Sequence, residues 1–342
     1  MNTLPLVSVI MPVRNEAAFI ERSLGAVLAQ DYPADKVEII VADGMSTDAT
    51  PDIIRLLQGE HPNLLLIDNP GRIVATGLNA ALAHARGEIV IRVDGHCEIA
   101  PDYVRRCVEH LLNSEVDGVG GPIETIGETY MSRAIALGMS STFGVGNSGF
   151  RTVKDATMLV DTVAFPAYKR PAIELAGPFD EELVRNQDDE YNYRLRKLGG
   201  KVLLASDIRS RYYSRGSIGS LWKQYFQYGS WKVRVMQKHT HQMCLRQFVP
   251  PTFVCVLLGS SLLVAFLGVG LPLELVCGSY AFANLAISLW TARRGGWHYL
   301  PALPVVFTTL HLSYGLGFLA GLVKFRARWG DTSSPTTWLQ PG

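Results

Sequence analysis

Three acidic residues in the N-terminal part of the chain have the type and spacing to do chemistry. Asp43 ends the apolar run VEIIVAD, Asp94 ends IRVD, and Asp188 lies in RNQDDEY at the start of a helical pattern. A carboxylate can ligate a divalent cation or take the proton of an attacking hydroxyl group. Gly44 and Gly95 follow the first two aspartates and allow tight turns there. The pattern indicates a polar site at the ends of strands.

His96 follows Asp94 by two residues and is a second candidate for chemistry. An imidazole beside a carboxylate is an acceptable ligand pair for Mn²⁺ and suits Mg²⁺ less well. The alternative is a histidine in an ordinary surface turn. We favour ligation, with Glu98 as the hydrogen-bond partner of the histidine.

A third polar motif, PVRNE, ends the first apolar run. A strand that enters a helix through a polar turn places backbone N–H groups beside any ligand at that edge. Asn15 and Glu16 suit equally the cap of the following helix. Both interpretations stay open for this motif taken alone.

The elements that must position these residues alternate between strand and helix patterns. Strands are predicted at 7–12, 37–43, 64–68 and 88–94, and helices at 16–30, 50–58 and 73–85. Such alternation predicts repeated βαβ units and a mostly parallel sheet. In open parallel sheets ligands collect beyond the carboxyl ends of the strands, where all three motifs fall.

Composition excludes several classes of protein. The 342 residues carry a net charge of +1, so no global field attracts nucleic acid. The five cysteines form no CxxC pair, which argues against a zinc cluster or a disulfide scaffold. No P-loop or Rossmann glycine motif is present. The first residues lack the features of a signal peptide, and the N-terminal part is expected in the cytoplasm.

The C-terminal part contains apolar runs of membrane-spanning length after about residue 245. Two such runs are adjacent and a third follows RRGGWHY. Three spans would place Arg293 and Arg294 inside and Lys324, Arg326 and Arg328 outside, against the positive-inside tendency. Two spans with a re-entrant or interfacial third segment would keep all five inside. Both arrangements stay open.

The motifs in this order resemble the family 2 glycosyltransferases, inverting enzymes of the GT-A type. The resemblance covers about residues 5–235 and is closest to the exopolysaccharide and succinoglycan glucosyltransferase branch. It implies that His96 stands where the family usually has the second aspartate of Asp-x-Asp, so that Asp94 and His96 hold the metal. It implies that Asp188 is the catalytic base. The implied UDP-sugar-binding residues are Pro12, Arg14, Asn15, Glu16, Asp43 and Asp94.

The chain departs from the family pattern at two further places. Gln187 replaces the glutamate that usually precedes the base. Gln227 and Trp231 match the ends of a QxxRW motif that here lacks its arginine, which favours addition of a single sugar over processive synthesis. With Asp189, these two residues are predicted on the acceptor side.

The resulting prediction is a membrane-attached, inverting hexosyltransferase. It transfers a sugar, glucose in the first instance, from a UDP-sugar to a polyprenyl-linked saccharide, with Mn²⁺ or Mg²⁺ as cofactor and Mn²⁺ preferred. The predicted layout is a GT-A catalytic domain at 1–215, an amphipathic interfacial helix region at 216–245, two or three transmembrane helices at 246–330 and a tail at 331–342.

We expect a multi-pass protein of the inner membrane with a cytoplasmic catalytic domain. Other polysaccharide-assembly proteins are candidate partners, and nucleic acid is not. The alternatives are a polyprenyl-phosphate sugar synthase, whose acceptor is a phosphate oxygen, and a non-catalytic membrane scaffold.

Overall fold

The computed structural model describes residues 4–331, so the predicted tail lies, beyond Asp331, outside the described residues. The described chain divides into two compact units. The first comprises residues 4–124 and 149–213, and the second comprises residues 125–148 and 214–331.

The first unit is built around a mixed sheet. The strands of the described chain are β1 (Val7–Val13), β2 (Val37–Asp43), β3 (Leu64–Asp68), β4 (Ile89–Arg92), β5 (Cys97–Ile99), β6 (Gly118–Gly121), β7 (Ile123–Ile126), β8 (Met158–Leu159), β9 (Ala164–Lys169), β10 (Val202–Leu204) and β11 (Ser210–Tyr213). Eight of these described strands form a sheet in the order β3-β2-β1-β4-β9-β6-β10-β8, and β5-β11-β7 form a second sheet.

Parallel pairing brings the ends of the first strands to one edge. β1 pairs with β2 so that Val13 is opposite Asp43, and with β4 so that Ile10 is opposite Arg92. Every residue of β1, β2 and β4 is buried. Near-continuous apolar runs are typical of parallel strands covered on both faces. The polar residues that follow each run therefore share the carboxyl edge of the sheet.

A buried carboxylate links the amino-terminal ends of these strands. Glu38 on β2 accepts hydrogen bonds from Ser8 Oγ at 2.6 Å, Arg86 Nε at 3.0 Å and the Gly87 backbone N–H at 3.2 Å. Burial alone would raise the pKa of Glu38, but these hydrogen bonds outweigh it and lower that pKa. The contact fixes the chain where it enters β4.

Helices cover the sheet of the first unit. They are α1 (Ile20–Leu28), α2 (Thr50–Glu60), α3 (Val74–His84), α4 (Tyr103–Asn113), α7 (Gly149–Thr152), α8 (Arg170–Ala176) and α9 (Gln187–Lys197); the intervening α5 and α6 belong to the second unit. The mostly parallel α/β fold predicted from the sequence is confirmed. The predicted start of the first helix at residue 16 was wrong, since α1 begins at Ile20 and the preceding residues form a turn.

The second unit is helical. Its helices are α5 (Tyr130–Met139), α6 (Thr142–Val145), α10 (Ile218–Lys238), α11 (Val249–Leu267), α12 (Leu271–Gly295) and α13 (Leu303–Lys324). Three segments, Leu245–Leu267, Leu271–Gly295 and Leu303–Lys324, are long and apolar enough to cross a membrane, with mean hydropathies of 2.0, 1.3 and 1.5. By their length and composition these helices support the membrane protein that the sequence predicts.

Candidate active site

The turns after β1 and β2 are tied to each other by hydrogen bonds. Asn15 has a φ of 54°. Its backbone N–H donates to Ser46 Oγ at 2.8 Å, and its Oδ1 accepts from the Thr47 N–H at 2.8 Å. Asn15 therefore does not cap α1. It holds the neighbouring turn, which gives the sheet edge a fixed polar rim.

Asp43 stabilises the turn after β2 at the same edge of the sheet. It is 5% exposed, and its two carboxylate oxygens accept from the Ser46 N–H at 3.0 Å and from Ser46 Oγ at 2.5 Å. These bonds leave lone pairs on both oxygens for a further donor. Asp48 accepts from the Thr50 N–H at 3.1 Å and from Thr50 Oγ1 at 2.6 Å, so this carboxylate stabilises the turn that leads into α2.

A buried arginine links two of the three predicted carboxylates. Arg92 Nε donates to Asp94 Oδ1 at 3.0 Å, and its Nη2 donates to Asp94 Oδ2 at 3.2 Å. Arg92 Nη1 lies 3.9 Å from Asp188 Oδ2. The guanidinium is 7% exposed, and burial alone would lower its pKa; the charges of Asp94 and Asp188 reverse that effect and raise the pKa. Asp94 and Asp188, far apart in sequence, therefore flank one permanent positive charge.

Sequence reasoning missed Arg92, although the run EIVIRVD carries a signal. A single arginine in an otherwise apolar strand of a parallel sheet must be paired, because a buried unpaired charge is costly. The nearest carboxylates able to pair with Arg92 are Asp94, two residues along the chain, and an acidic residue at the end of another strand or helix, here Asp188.

His96 is held by a carboxylate, but not by the one that we expected. Its Nδ1 lies 2.9 Å from Glu16 Oε1, and its ring meets the edge of Tyr212 at 5.2 Å between centroids. Glu98 was the wrong partner: it accepts from Tyr213 Oη and forms a 4.0 Å ion pair with Arg22. His96 lies in the turn before β5 (Cys97–Ile99), so the alternation of that strand does not place its ring on the face of Glu98.

The residues around this turn fit a divalent cation. A histidine that donates Nδ1–H to a carboxylate presents Nε2 as the ligand, which is the usual arrangement at metal sites. Among residues 4–331, Nε2 of His96 has no hydrogen-bond partner. No group of three or more metal-ligating side chains exists in the same range. A cation held by Asp94 and His96 would therefore need the oxygens of a bound diphosphate to complete its shell.

Helix α9 carries the third carboxylate, Asp188, and its buried polar residues hold it in place. Asn192 accepts a 2.7 Å hydrogen bond from Tyr168 Oη on β9. Fully buried Glu190 accepts from Arg194 Nε and Nη2, each at 2.9 Å. Glu190 is therefore part of the helix's internal structure. Asp188 keeps 41% of its side chain exposed, so it remains accessible to a substrate.

Gln187 begins α9 beside Asp188 and has an unsatisfied polar atom. It is 5% exposed, and its Oε1 has no hydrogen-bond partner among the described residues. A buried carbonyl oxygen without a partner costs about 1–3 kcal/mol, so a donor from a ligand or water would stabilise it. The amide can therefore accept from a hydroxyl group where the family usually has a carboxylate.

The remaining predicted residues lie in different surroundings. Pro12 is buried within β1, and Arg14 Nη1 donates to the Arg72 carbonyl at 3.4 Å. Asp189 is half-buried next to Asp188, whose Oδ1 accepts its backbone N–H at 2.9 Å.

Two predicted acceptor-side residues belong to the helical unit. Gln227 and Trp231 lie on α10. The Trp231 ring is 5.2 Å from the Phe325 ring, and Lys324 Nζ lies 4.6 Å from the centre of the indole. Trp231 thus packs against the end of α13.

The described fold is similar to that of a solved glycosyltransferase. A mannosyltransferase from Pyrobaculum calidifontis, solved in complex with GDP-Man and Mn2+, has a similar fold at a TM-score of 0.61 and 22% identity, covering 94% of this chain and 88% of that one.

The chain belongs to glycosyl transferase family 2, whose model matches residues 8–174. It is 30% identical over 322 residues to the succinoglycan biosynthesis protein ExoA of Rhizobium meliloti (strain 1021), covering 94% of this chain and 96% of that one. It is 29% identical over 326 residues to a dolichyl N-acetyl-alpha-D-glucosaminyl phosphate 3-beta-D-2,3-diacetamido-2,3-dideoxy-beta-D-glucuronosyltransferase of Methanococcus voltae, covering 93% and 97% of the two chains.

The predicted family and its exopolysaccharide-type branch are thereby confirmed. The protein is a glycosyltransferase of polysaccharide or glycolipid biosynthesis.

Proposed function

We propose that this chain is an inverting glycosyltransferase that adds one sugar, glucose in the first instance, from a UDP-sugar to a lipid-linked saccharide. The observation that carries the proposal is the Arg92 guanidinium, which contacts both Asp94 and Asp188. One carboxylate suits the donor and the other suits the acceptor, and a transfer reaction needs both in one site. The homology to ExoA supports a role in exopolysaccharide synthesis.

In this proposal the donor lies along the rim formed by the turns after β1, β2 and β4. Asp43 receives the nucleoside, with Arg14 and Asn15 beside it. Asp94 and His96 would hold a divalent cation, Mn²⁺ by preference, with Glu16 fixing the imidazole. When bound, such a cation offsets the negative charge that develops on the departing diphosphate.

Asp188 acts on the acceptor. Inversion requires one carboxylate to take the proton of the acceptor hydroxyl as its oxygen attacks the anomeric carbon, on the face opposite the leaving diphosphate. The exposure of Asp188 supports this role, and the full burial of Glu190 in its ion pair argues against Glu190 as the base. Gln187 accepts a hydrogen bond from the acceptor sugar.

The test separates the role of the base from that of the donor site. Asp188→Asn is expected to lower kcat by about 10²–10⁴-fold while Mn²⁺-dependent UDP binding, measured by calorimetry, is kept. Glu174→Gln, at an exposed position of α8, is the matched control and should change neither quantity.

Two results would overturn the proposal. Near-full activity of Asp188→Asn together with loss in Asp94→Asn would identify a polyprenyl-phosphate sugar synthase, because a phosphate acceptor is already ionised and needs no strong base. Absence of any metal-dependent nucleotide binding by the unaltered protein would identify a non-catalytic scaffold.

We further propose an inner-membrane location, with catalysis by residues 1–215 on the cytoplasmic face and membrane attachment through 246–330. Membranes incubated with labelled UDP-sugars should place label in the lipid fraction. GDP-mannose belongs in the same panel because the similar fold from Pyrobaculum calidifontis was solved with it. Label from GDP-mannose alone would refute the UDP assignment.

A further inference from the structure

The three candidate membrane helices differ in what surrounds them. In α11 and α12 only 17% of the apolar segment is buried, and large apolar side chains such as Phe266, Leu271 and Phe282 are exposed. In α13 half of the segment is buried by other parts of the helical unit. α11 and α12 thus require lipid around them, whereas α13 is half enclosed by protein.

Helix α10 is the main neighbour of α13, and glycines bring the two backbones together. A Cβ at Gly317 would overlap the Phe226 carbonyl, and one at Gly229 would overlap the Tyr314 carbonyl. A Cβ at Gly321 would lie 2.5 Å from the Ser230 carbonyl oxygen. Residue numbers increase in the same direction along both helices, from the Phe226–Gly317 contact to the Ser230–Gly321 contact. The two helices are therefore parallel and packed over several turns.

The end of α13 meets the end of α10. Gln237 Nε2 donates to the Phe325 carbonyl at 2.9 Å. Arg234, fully buried, donates from Nη2 to Asp331 Oδ2 at 2.9 Å. α10 precedes the first apolar helix, and its basic residues exclude it from the candidate spans of the described chain. The residues after α13 therefore lie on the side of the membrane from which α11 departs.

The first half of α13 contacts segments from the same side. His311 Nε2 is 2.7 Å from the Phe143 carbonyl of α6, and the Phe143 ring meets that of Phe307 at 5.2 Å. α5 and α6 lie within residues 125–148, which leave and rejoin the first unit without a candidate span. They must share that unit's side of the membrane.

We propose that α13 is a membrane-surface helix and that α11 and α12 are the two crossings. A span of this length would carry the chain about 30 Å across the bilayer, which the contacts at both ends of α13 forbid. The paired helices α10 and α13 contact the lipid headgroups of the leaflet on the catalytic side. Interfacial helices of this kind bury apolar side chains at the headgroup boundary.

The distribution of basic residues gives independent support. Two crossings place Arg293 and Arg294, in the last turn of α12, on the same side as Lys324, which ends α13, and Arg326, which follows it. All of these charges then satisfy the positive-inside tendency and meet anionic lipid. A third crossing would separate the two groups.

Cysteine accessibility in whole cells tests this arrangement on the full chain. Cys244, Cys255 and Cys277 are first replaced by serine; Cys97 and Cys107 are buried and remain. Single cysteines are then introduced by Val269→Cys between the crossings, Leu198→Cys in the first unit and Trp329→Cys after α13, at sites that are 46%, 48% and 54% exposed. A membrane-impermeant maleimide is applied before and after permeabilisation.

Val269→Cys is expected to react in intact cells, and Leu198→Cys and Trp329→Cys only after permeabilisation. Labelling of Trp329→Cys but not of Leu198→Cys in intact cells would overturn the proposal, whereas labelling of both would overturn only the cytoplasmic location. Should that variant fold poorly, a fluorescent protein fused to Gly342 gives a second readout. Fluorescence there is expected, and an active alkaline phosphatase at the same position would refute two crossings. Neither readout depends on which sugar is transferred.

Discussion

Glu16 is expected to set the cation affinity of this enzyme although it is not itself a proposed ligand. Its Oε1 lies 2.9 Å from His96 Nδ1, and the two side chains are 20% and 16% exposed. The contact selects the tautomer that leaves Nε2 free, and it fixes the direction of the ring. Glu16→Ala removes both effects while leaving Asp94 and His96 in the chain.

The expected magnitude follows from the loss of one partner behind a metal-ligating histidine. Such changes weaken metal binding by about 10–100-fold, which corresponds to about 1.4–2.8 kcal/mol. Glu16→Gln should lie between the wild type and Glu16→Ala, because its amide oxygen still accepts from Nδ1–H. His96→Ala should weaken binding at least as much as Glu16→Ala, since it removes the ligand itself.

The measurement is calorimetric titration of Mn²⁺ into the purified full chain in the presence of saturating UDP. Glu21→Ala, an exposed acidic position in the first turn of α1, is the matched control and should bind Mn²⁺ as the wild type does. Wild-type affinity in Glu16→Ala with weakened affinity in His96→Ala would refute the role of Glu16. Wild-type affinity in both variants would show that the turn is purely structural.

Three further changes test the packing and electrostatics. Arg92→Met should lower the free energy of unfolding by about 3 kcal/mol, which is at the low end for a broken buried ion pair because Asp94 is partly exposed. Arg92→Lys should lower it less, because the positive charge is kept. Thermal unfolding in detergent measures the stability of both variants. Gly317→Val should cost about 1–3 kcal/mol, whereas Gly278→Val, with open space around it, should stay within about 0.5 kcal/mol; equal losses would contradict the helix pairing. The lowered pKa of Glu38 implies stability that is present above about pH 4.3 and lost as the pH falls through the folded-state pKa. Glu38→Gln should therefore flatten the acid side of a plot of Tm against pH.

The fold could be predicted from the sequence because each strand run is apolar and bounded by polar turns. The predicted bounds at 37–43 and 64–68 are those of β2 and β3. The start of α1 was wrong because PVRNE offered a capping residue, whereas Asn15 bonds instead to Thr47, in the turn after β2. A cap is a local pattern, and a contact between two turns is not.

The sequence allowed Asp43, Asp94 and Asp188 to be proposed as site residues, because each ends or follows a strand or begins a helix, where periodicity is clearest. Their roles stay predictions. Arg92 and the Glu16 contact could not be found from local patterns, because each joins segments that only the parallel register brings together. The placement of α13 likewise depends on contacts with α10 that hydropathy does not report.

The contact between Glu16 and His96 also constrains how this motif could evolve or be redesigned. His96→Asp would recreate the Asp-x-Asp pattern usual in the family, but it would direct a second carboxylate toward Glu16 in a partly buried turn. Two like charges there would repel, and the proton affinity of one would rise at the expense of cation binding. The two positions therefore form one epistatic unit: the aspartate should function only together with a neutral residue at position 16. Ancestral or designed versions of this enzyme would have to change both residues to move between the two metal motifs.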